Sequence, residues 1–344
     1  MAPAAASKRG LTVAVTGPTG EIGQAVVAAL ARSSGVERVL GMARRPFEPR
    51  AHGWKKVSYR QGDVLDRAAV DRLVKDADVV LHLAFIIMGG AEESARVNLD
   101  GSRNVFRATA EAGVQRLLYA SSVAAYGFHA ENPQPLSEEV PARGTAAHYY
   151  SAQKAEVEAL LGETLAGSQT AAYVFRPCIV AGPDAPLLLD SLPYTQISER
   201  LPAPVLRLLD GLPMLKPVLP DPGVPFQLIH HDDVASAMRA AVLGRGKSGV
   251  YNLAGPGEMT VKLLAQELGW YSIPVPELAV DAVAELVGRL GFLPAQAQWI
   301  SAFREPVIMD AAKARRELGW RPKHDALGTL RETIAAARLD PLIR

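Results

Sequence analysis

Short apolar runs alternate with amphipathic stretches through the first half of the chain. Runs such as LTVAV and DVVLHLA are apolar throughout, which is typical of parallel strands covered on both faces. The pattern predicts strands at 11–15, 38–42, 79–83, 116–120 and 171–175, and helices at 21–32, 68–74, 91–112 and 147–165. This βαβ rhythm indicates an α/β fold with a doubly wound parallel sheet.

The pattern changes after Gly182. Closely spaced prolines from Pro183 to Pro225 break the chain into short apolar pieces. Regular signals then return, and they predict strands at 227–230 and 249–253 and helices at 232–243, 261–268 and 310–318. We therefore expect an insertion of a different character at about 186–225.

Composition and charge exclude several classes of protein. The chain has 344 residues, of which 49% are hydrophobic and 21% are charged, so it can bury a sizeable core. A formal net charge of +1 gives no general attraction for nucleic acid. The single cysteine, Cys178, excludes an internal disulfide or a cysteine-based metal cage and fits a reducing compartment, so the cytoplasm is expected. The longest apolar run, 79–88, is too short to span a bilayer, so no membrane contact is expected.

The segment TGPTGEIG follows the first predicted strand and opens the first predicted helix. Its glycines have the spacing G-x-x-G-x-x-G, which allows a tight turn and close approach of the backbone to a pyrophosphate. The new helix adds unpaired N–H groups and the positive end of its dipole. The candidate contacts of a dinucleotide are Gly17, Thr19, Gly20, Glu21, Ile22 and Gly23.

The end of the second predicted strand bears on the choice of cofactor. An NAD site would place an acid about twenty residues beyond the glycine loop to hold the ribose hydroxyls, but Ala43 stands there and Arg44 and Arg45 follow. Guanidinium groups can bind a 2'-phosphate through charge-assisted hydrogen bonds. NADP(H) is therefore favoured, with NAD as the alternative if the two arginines only begin a solvated loop.

Two further loops follow predicted strands and fit the same cleft. Asp63 and Val64 could contact the adenine, although Asp63 is also a common turn residue. Leu83 and Ala84 could run beneath the dinucleotide. His82, which precedes them, is interpreted as a core histidine.

Tyr150 and Lys154 form a Tyr-x-x-x-Lys motif at the start of a predicted helix, where positions i and i+4 share one face. A neighbouring ammonium favours phenolate, so we expect Lys154 to lower the pKa of Tyr150 and to make it an acid or base for an alcohol or carbonyl. Ser122 ends an earlier strand, at the edge where a parallel sheet presents its ligand crevice, and could donate a hydrogen bond to the substrate oxygen. The alternative for Ser121 and Ser122 is a simple turn.

In their order, these motifs resemble the signatures of extended short-chain dehydrogenases/reductases, the NAD-dependent epimerase/dehydratase family. The resemblance covers nearly the whole chain and includes Asn98-x-x-Gly101, Arg176-Pro177 and, later, Asp233-Val234-Ala235. It implies a Rossmann domain at 11–185 completed by about 226–255, after a disordered tail at 1–10. A smaller C-terminal substrate-binding region would comprise 186–225 and 256–335. It also implies that Ser122, Tyr150 and Lys154 are catalytic and that Asn98, Pro177 and Ile179 contact the cofactor.

The expected substrate follows from two departures from this family. Members that act on nucleotide sugars usually have an Asn where this chain has Ile179 and an Arg where it has Phe226. A buried diphosphate without such donors would be costly. We therefore expect an NADP(H)-dependent oxidoreductase for a carbonyl or secondary alcohol of a fairly apolar small molecule. The apolar segment could instead be core packing.

Two alternative functions stay open at this stage, and metal binding and the oligomeric state also bear on the function. The same groups would serve a nucleotide-sugar epimerase or dehydratase with transient hydride transfer, and a non-catalytic NADP-binding sensor is a third possibility. His230, His231, Asp232 and Asp233 are consecutive, but adjacent residues at a strand end point to different sides. No metal is expected. A homodimer is common among such enzymes, although nothing in the sequence shows one.

Overall fold

The computed structural model describes residues 10–87, 91–192, 216–275 and 305–337. The predicted tail lies outside these residues except for Gly10, and so do large parts of the predicted substrate-binding region. The strands, in chain order, are β1 Leu11–Thr16, β2 Val36–Ala43, β3 Val57–Gln61, β4 Val79–His82, β5 Arg116–Ala120, β6 Ala171–Pro177, β7 Ile179–Ala181, β8 Val218–Asp221, β9 Leu228–His230, β10 Gly249–Leu253 and β11 Tyr271–Pro274. The helices are α1 Glu21–Ala31, α2 Arg67–Val74, α3 Ala91–Ala95, α4 Gly101–Glu111, α5 Tyr149–Leu165, α6 Leu187–Asp190, α7 His231–Val242, α8 Val261–Leu268, α9 Ala312–Glu317 and α10 Ala326–Ala337.

A seven-stranded parallel sheet forms the centre, in the order β10-β6-β5-β4-β1-β2-β3. The chain runs outward in opposite directions from β1, so the crevice between the carboxyl ends of β1 and β4 is the topological switch point where such sheets bind ligands. This is the predicted doubly wound α/β fold, which is confirmed.

Both faces of the sheet are covered, as the continuously apolar strands require. Val13 and Val15 pack towards α1 and α7, whereas Ala14 and Val80 pack towards α2, α4 and α5. Alternate residues of one strand thus enter two separate apolar clusters, which explains why LTVAV is apolar apart from Thr12.

The predicted helix at 91–112 is interrupted. A π-helical turn, Arg96–Asp100, separates α3 from α4. Asn98 lies in this turn, and its backbone carbonyl accepts a hydrogen bond from the Ser102 hydroxyl. Such π-turns occur often at functional sites.

Six elements were not predicted from the pattern, namely β3, β7, β8, β11, α6 and α10. β3 is an edge strand with a largely exposed, polar sequence, VSYRQ, and so lacks the apolar run of its neighbours. The short strands β8 and β11 pair only with each other. α10 follows Asp325, whose carboxylate caps the helix by accepting the Gly328 N–H, as Asp66 caps α2.

A separate apolar cluster lies beside the sheet. Its core is built from α6, β8, β9, α8 and α10, and includes Leu189, Leu219, Phe226, Leu228, Met259, Leu264, Leu330 and Ile334. Ile179 and Leu188 pack against it. The predicted domain boundaries remain a prediction. Across the described ranges, no helix is both long enough and apolar enough to cross a membrane.

Candidate active site

The glycine loop makes the close turn that its spacing predicts. Gly17 has a φ of 74°, and a side chain there would lie 2.7 Å from the backbone nitrogen of Ala84. A Cβ on Gly23 would lie 2.1 Å from the Gly17 carbonyl oxygen. Gly20 is the N-cap of α1 and provides no side-chain acceptor for the first N–H groups of the helix. These donors therefore suit an anionic ligand.

Gly23→Ala is expected to weaken dinucleotide binding by about tenfold or more, because the new methyl group forces the turn apart at a cost of roughly 1–3 kcal/mol. Titration calorimetry with NADPH and NADH would measure the loss. The matched control is Gly162→Ala in α5, where a Cβ meets nothing within 4 Å. This control should bind normally and gain about 0.5–1 kcal/mol of stability. Normal binding by Gly23→Ala would contradict a role of the glycine turn in holding the dinucleotide.

A cavity of about 480 Å³ lies where the adenosine end of a dinucleotide is expected, beyond the ends of β2 and β3. It is lined by Arg44, Asp63, Leu65, Glu92, Glu93, Arg96 and Val97. Asp63 is a turn residue, since its carboxylate accepts the Leu65 N–H at 3.0 Å, and it also lines the cavity, while its contact with adenine stays a prediction. Val64 is buried. Arg45 is not among the lining residues, whereas Arg96, which the sequence reasoning missed, is.

The loop after β4 lies against the glycine loop. The Leu83 N–H donates to the Thr16 carbonyl at 3.1 Å, which brings Leu83 and Ala84 to the switch point. Asn98 is fully buried, and its amide accepts the Ile86 N–H at 2.8 Å and donates to the Ile86 carbonyl at 3.0 Å. Asn98 therefore fixes this loop, while a direct contact between Asn98 and the cofactor stays a prediction.

The three predicted catalytic side chains come together at the carboxyl ends of β5 and β6. Ser122 and Tyr150 share a hydrogen bond, and both are more than nine-tenths buried. The Lys154 ammonium donates to the Ala120 carbonyl at 2.7 Å and contacts the Tyr119 hydroxyl at 3.4 Å. Helix α5 begins at Tyr149 because His148 caps the Ser151 N–H. Pro177 ends β6 and Ile179 begins β7, at the same edge.

Burial dominates the acid–base properties of this group. It raises the pKa of Tyr150 to about 12, although the Ser122 hydrogen bond acts in the opposite direction. The expectation that Lys154 lowers this pKa is not met: Lys154 is not among the groups that oppose burial, and its ammonium lies 5.7 Å from the Tyr150 ring centroid. Burial also lowers the pKa of Lys154 to about 7, against the opposing effect of Glu158. A neutral phenol is a proton donor at physiological pH.

A buried ion pair supports the catalytic helix. Arg176 and Glu158 are 3% and 8% exposed and form two hydrogen bonds, one of them 2.9 Å long. The Ser121 hydroxyl also donates to Glu158. Glu158 lies one helical turn beyond Lys154, so it could have been found from the i, i+4 spacing that identified the catalytic pair. The sequence reasoning missed it, together with Phe85 and Tyr119.

The histidine cluster is better suited to packing than to metal binding. Contrary to the expectation that they point to different sides, His230, His231 and Asp232 offer ligand atoms within 4.8 Å of one another. His230 also does so with His324 and Glu332. However, Nδ1 of His230 accepts the Asp232 N–H at 3.1 Å, so the neutral ring carries its proton on Nε2, the atom a metal would need. The His230 and His324 rings are also stacked at 3.9 Å, so their nitrogen lone pairs do not converge. This geometry disfavours a metal.

The residues present fit a nicotinamide dinucleotide. The turn at Gly17 and Gly23 leaves no room for side chains, and the start of α1 has no side-chain cap. Gly17, Thr19, Gly20, Glu21, Ile22 and Gly23 would hold the pyrophosphate, and Arg44, Asp63 and Val64 the adenosine. Tyr150 and Lys154 would face the nicotinamide end. When bound, this group supplies or accepts a hydride.

Two relatives cover nearly the whole chain at low identity, and a third covers about half of it. An uncharacterized protein of Sinorhizobium fredii is 24% identical over 330 residues, which are 94% of this chain and 77% of that protein. A longer uncharacterized protein of Mycobacterium tuberculosis is 25% identical over 330 residues, which are 95% of this chain and 30% of that protein. A ceramide reductase of Caulobacter vibrioides is 31% identical over 198 residues, 56% of this chain and 53% of that enzyme.

Solved structures share the fold. The Bordetella bronchiseptica enzyme WbmH, in complex with NAD+, has a TM-score of 0.71 and 20% identity and covers 96% of this chain and 100% of its own. UDP-glucose 4-epimerase of Thermotoga maritima, with UDP-glucose, has a TM-score of 0.71 and 21% identity over 96% of this chain and 99% of its own.

Fold and site together define a dinucleotide-binding enzyme with a tyrosine, a lysine and a serine at the switch-point edge. The family model of the NAD dependent epimerase/dehydratase family matches residues 13–254. The chain belongs to this family, as the ordered motifs predict, and is an NAD-dependent enzyme of the extended short-chain dehydrogenase/reductase kind.

Proposed function

We propose that the protein is an NADP(H)-dependent reductase or dehydrogenase that acts on a carbonyl or secondary alcohol of a fairly apolar small molecule. The observation that carries the substrate class is the apolar wall beside the site. Ile179 packs against the separate apolar cluster, and Phe226, which is 7% exposed, is part of its core. Neither residue can neutralise or hydrogen-bond a diphosphate.

The catalytic groups act as follows in the reducing direction. Tyr150, kept neutral by burial, donates its phenolic proton to the substrate oxygen as hydride reaches the carbonyl carbon. Ser122 donates a hydrogen bond to the same oxygen while charge develops there. Lys154 stabilises the resulting phenolate by its positive charge. In the oxidising direction each step is reversed.

The relatives support this proposal without deciding it. A ceramide reductase is among the matched proteins and supports the reductase. A structural neighbour that binds UDP-glucose supports the second candidate, a nucleotide-sugar epimerase with transient hydride transfer. The family match is compatible with both a reductase and an epimerase.

The preference for NADP(H) rests on Arg44, which lines the adenosine cavity and directly follows Ala43, the position where an NAD site would have an acid. Arg44→Ala is expected to lower the affinity for NADPH about tenfold and to leave the affinity for NADH nearly unchanged, because only NADPH presents a 2'-phosphate. Calorimetric titration of both cofactors would measure the two effects. Equal losses for NADPH and NADH would assign Arg44 to the shared adenosine moiety instead.

The decisive experiment for the reaction is an absorbance assay at 340 nm with long-chain ketones, aldehydes and nucleotide sugars. Net NADPH consumption with apolar carbonyls would support the reductase. Conversion of a nucleotide sugar without net cofactor turnover would replace it by the epimerase. Tight NADPH binding by both wild type and Tyr150→Phe, with no substrate converted by either, would favour the non-catalytic sensor.

The substrate-binding regions, the cellular location and the oligomeric state are also proposals. We assign substrate binding to the regions 186–225 and 256–335 because the apolar cluster beside the site is built from both. A cytoplasmic location and a homodimer remain predictions.

A further inference from the structure

The loop after β4 presents an aromatic ring to the catalytic lysine. The Lys154 Nζ lies 3.6 Å from the centroid of the Phe85 ring, a distance typical of a cation–π interaction. The same ring meets the edge of the Tyr150 ring, with centroids 5.7 Å apart and planes at 88°. Phe85 thus contacts both members of the catalytic pair and no motif accounts for it.

Two clamps fix the position of this ring. Asn98 holds both backbone groups of Ile86 and donates to Gln153 in α5 at 2.8 Å. The Tyr149 hydroxyl donates to the Ile87 carbonyl at 2.7 Å. Gln153 and Tyr149 immediately precede the catalytic residues of α5, so the two residues that follow Phe85 tie the loop to the catalytic helix.

We propose that Phe85 is a positioning residue for Lys154, whose ammonium it holds in place and whose charged form it favours through the face of its ring. The ammonium needs such support because it is 3% exposed. Its hydrogen-bond partners, the Ala120 carbonyl and the Tyr119 hydroxyl, are both uncharged. A cation–π contact is strongest where the cation is removed from water.

The other titratable groups around Lys154 act on it from α5, β4 and β5. On α5, Glu158 favours the ammonium but is shared with Arg176, and Tyr150 is neutral. On β5, burial raises the pKa of Tyr119, which therefore stays neutral. On β4, burial lowers the pKa of His82 to about 3, so its ring is also neutral at physiological pH. After the Ala120 carbonyl at 2.7 Å and the Tyr119 hydroxyl at 3.4 Å, the face of the Phe85 ring at 3.6 Å is the next source of favourable electrostatic potential.

This inference rests on the proposed function for its catalytic meaning, but its test does not need turnover. The ε-carbon resonances of labelled lysines are titrated by NMR in the whole protein, with Lys154→Arg used to assign the Lys154 signal. Phe85→Leu keeps an apolar side chain and removes the aromatic face. We expect it to lower the Lys154 pKa by about 0.5 to 1 unit, and we expect Phe85→Tyr, which keeps the face, to restore the wild-type value.

The controls separate a specific effect from a general one. Phe128→Leu removes a ring that contacts His148 at the start of the same helix and should leave the Lys154 titration unchanged. Phe85→Met serves as a second apolar replacement if Phe85→Leu does not fold. An unchanged or raised Lys154 pKa in Phe85→Leu or Phe85→Met would overturn the inference. The ring would then act on Lys154 only by excluding water.

Kinetics test the catalytic consequence. In NADPH-driven reduction, the fall of kcat/KM at alkaline pH should begin about 0.5 to 1 pH unit lower in Phe85→Leu than in wild type, and Phe85→Tyr should restore it. A pKa shift seen by NMR in an enzyme without NADPH turnover would refute the proposed function and keep the inference. Turnover with an unshifted Lys154 pKa would support the proposed function and overturn the inference.

Discussion

Tyr150→Phe is expected to lower kcat for carbonyl reduction by about 100- to 10,000-fold, the contribution usual for a positioned general acid. The substitution removes one hydroxyl from a side chain that is 7% exposed, so the fold and the packing against Phe85 should persist. Because the hydroxyl acts on the reacting oxygen, the affinity for NADPH should change little. Absorbance at 340 nm gives kcat, and calorimetry gives the affinity.

Tyr173→Phe is the matched control for this prediction. Tyr173 lies in β6 and its hydroxyl donates to the Gly246 carbonyl at 3.2 Å, away from the catalytic group. It should keep wild-type kcat. Wild-type kcat in Tyr150→Phe would show that another group donates the proton, and an equal loss in both variants would indicate a general effect of removing a buried hydroxyl.

The fold was largely predictable because its signals are local. Three local signals each predict one kind of structure. They are the largely apolar strands, the glycine turn between β1 and α1, and the hydroxyls at the end of β5. Two elements were missed for different reasons: β3 is a polar edge strand without an apolar run, whereas the cap of α10 at Asp325 was overlooked. Tertiary packing, which the sequence pattern does not contain, stabilises both.

The site was predictable as a set of residue types but not in its electrostatics. The Tyr-x-x-x-Lys spacing correctly placed Tyr150 and Lys154 on one face of α5. It could not show that burial, rather than the ammonium, determines the pKa of Tyr150. Likewise, two adjacent arginines predicted one anion site, whereas the cavity is lined by Arg44 and the distant Arg96. Such differences depend on depth and on loop direction, which emerge only in three dimensions.

Arg176→Met is expected to lower the free energy of unfolding by about 3–5 kcal/mol, because it leaves the Glu158 carboxylate buried without its counter-charge. Both side chains are more than nine-tenths buried, and the guanidinium also lies 4.3 Å from the Tyr126 ring centroid. Denaturation in guanidinium chloride followed by circular dichroism would measure the loss. The control is Arg331→Met, which breaks an ion pair with Glu267 in which the arginine is 61% exposed and should cost less than about 1 kcal/mol.

The double variant with Glu158→Leu and Arg176→Met separates the charge from the packing. If the uncompensated carboxylate causes the loss, the double variant should be more stable than Arg176→Met alone, since an apolar pair of similar volume can replace a buried ion pair. Recovery should be incomplete, because the Ser121 hydroxyl and the Val140 carbonyl lose their partners. A double variant less stable than either single one would mean that hydrogen bonding and shape, not charge, make this pair necessary. The ion pair would then hold α5 against β6 chiefly by its geometry, and Lys154 would owe its position to that geometry rather than to the nearby negative charge.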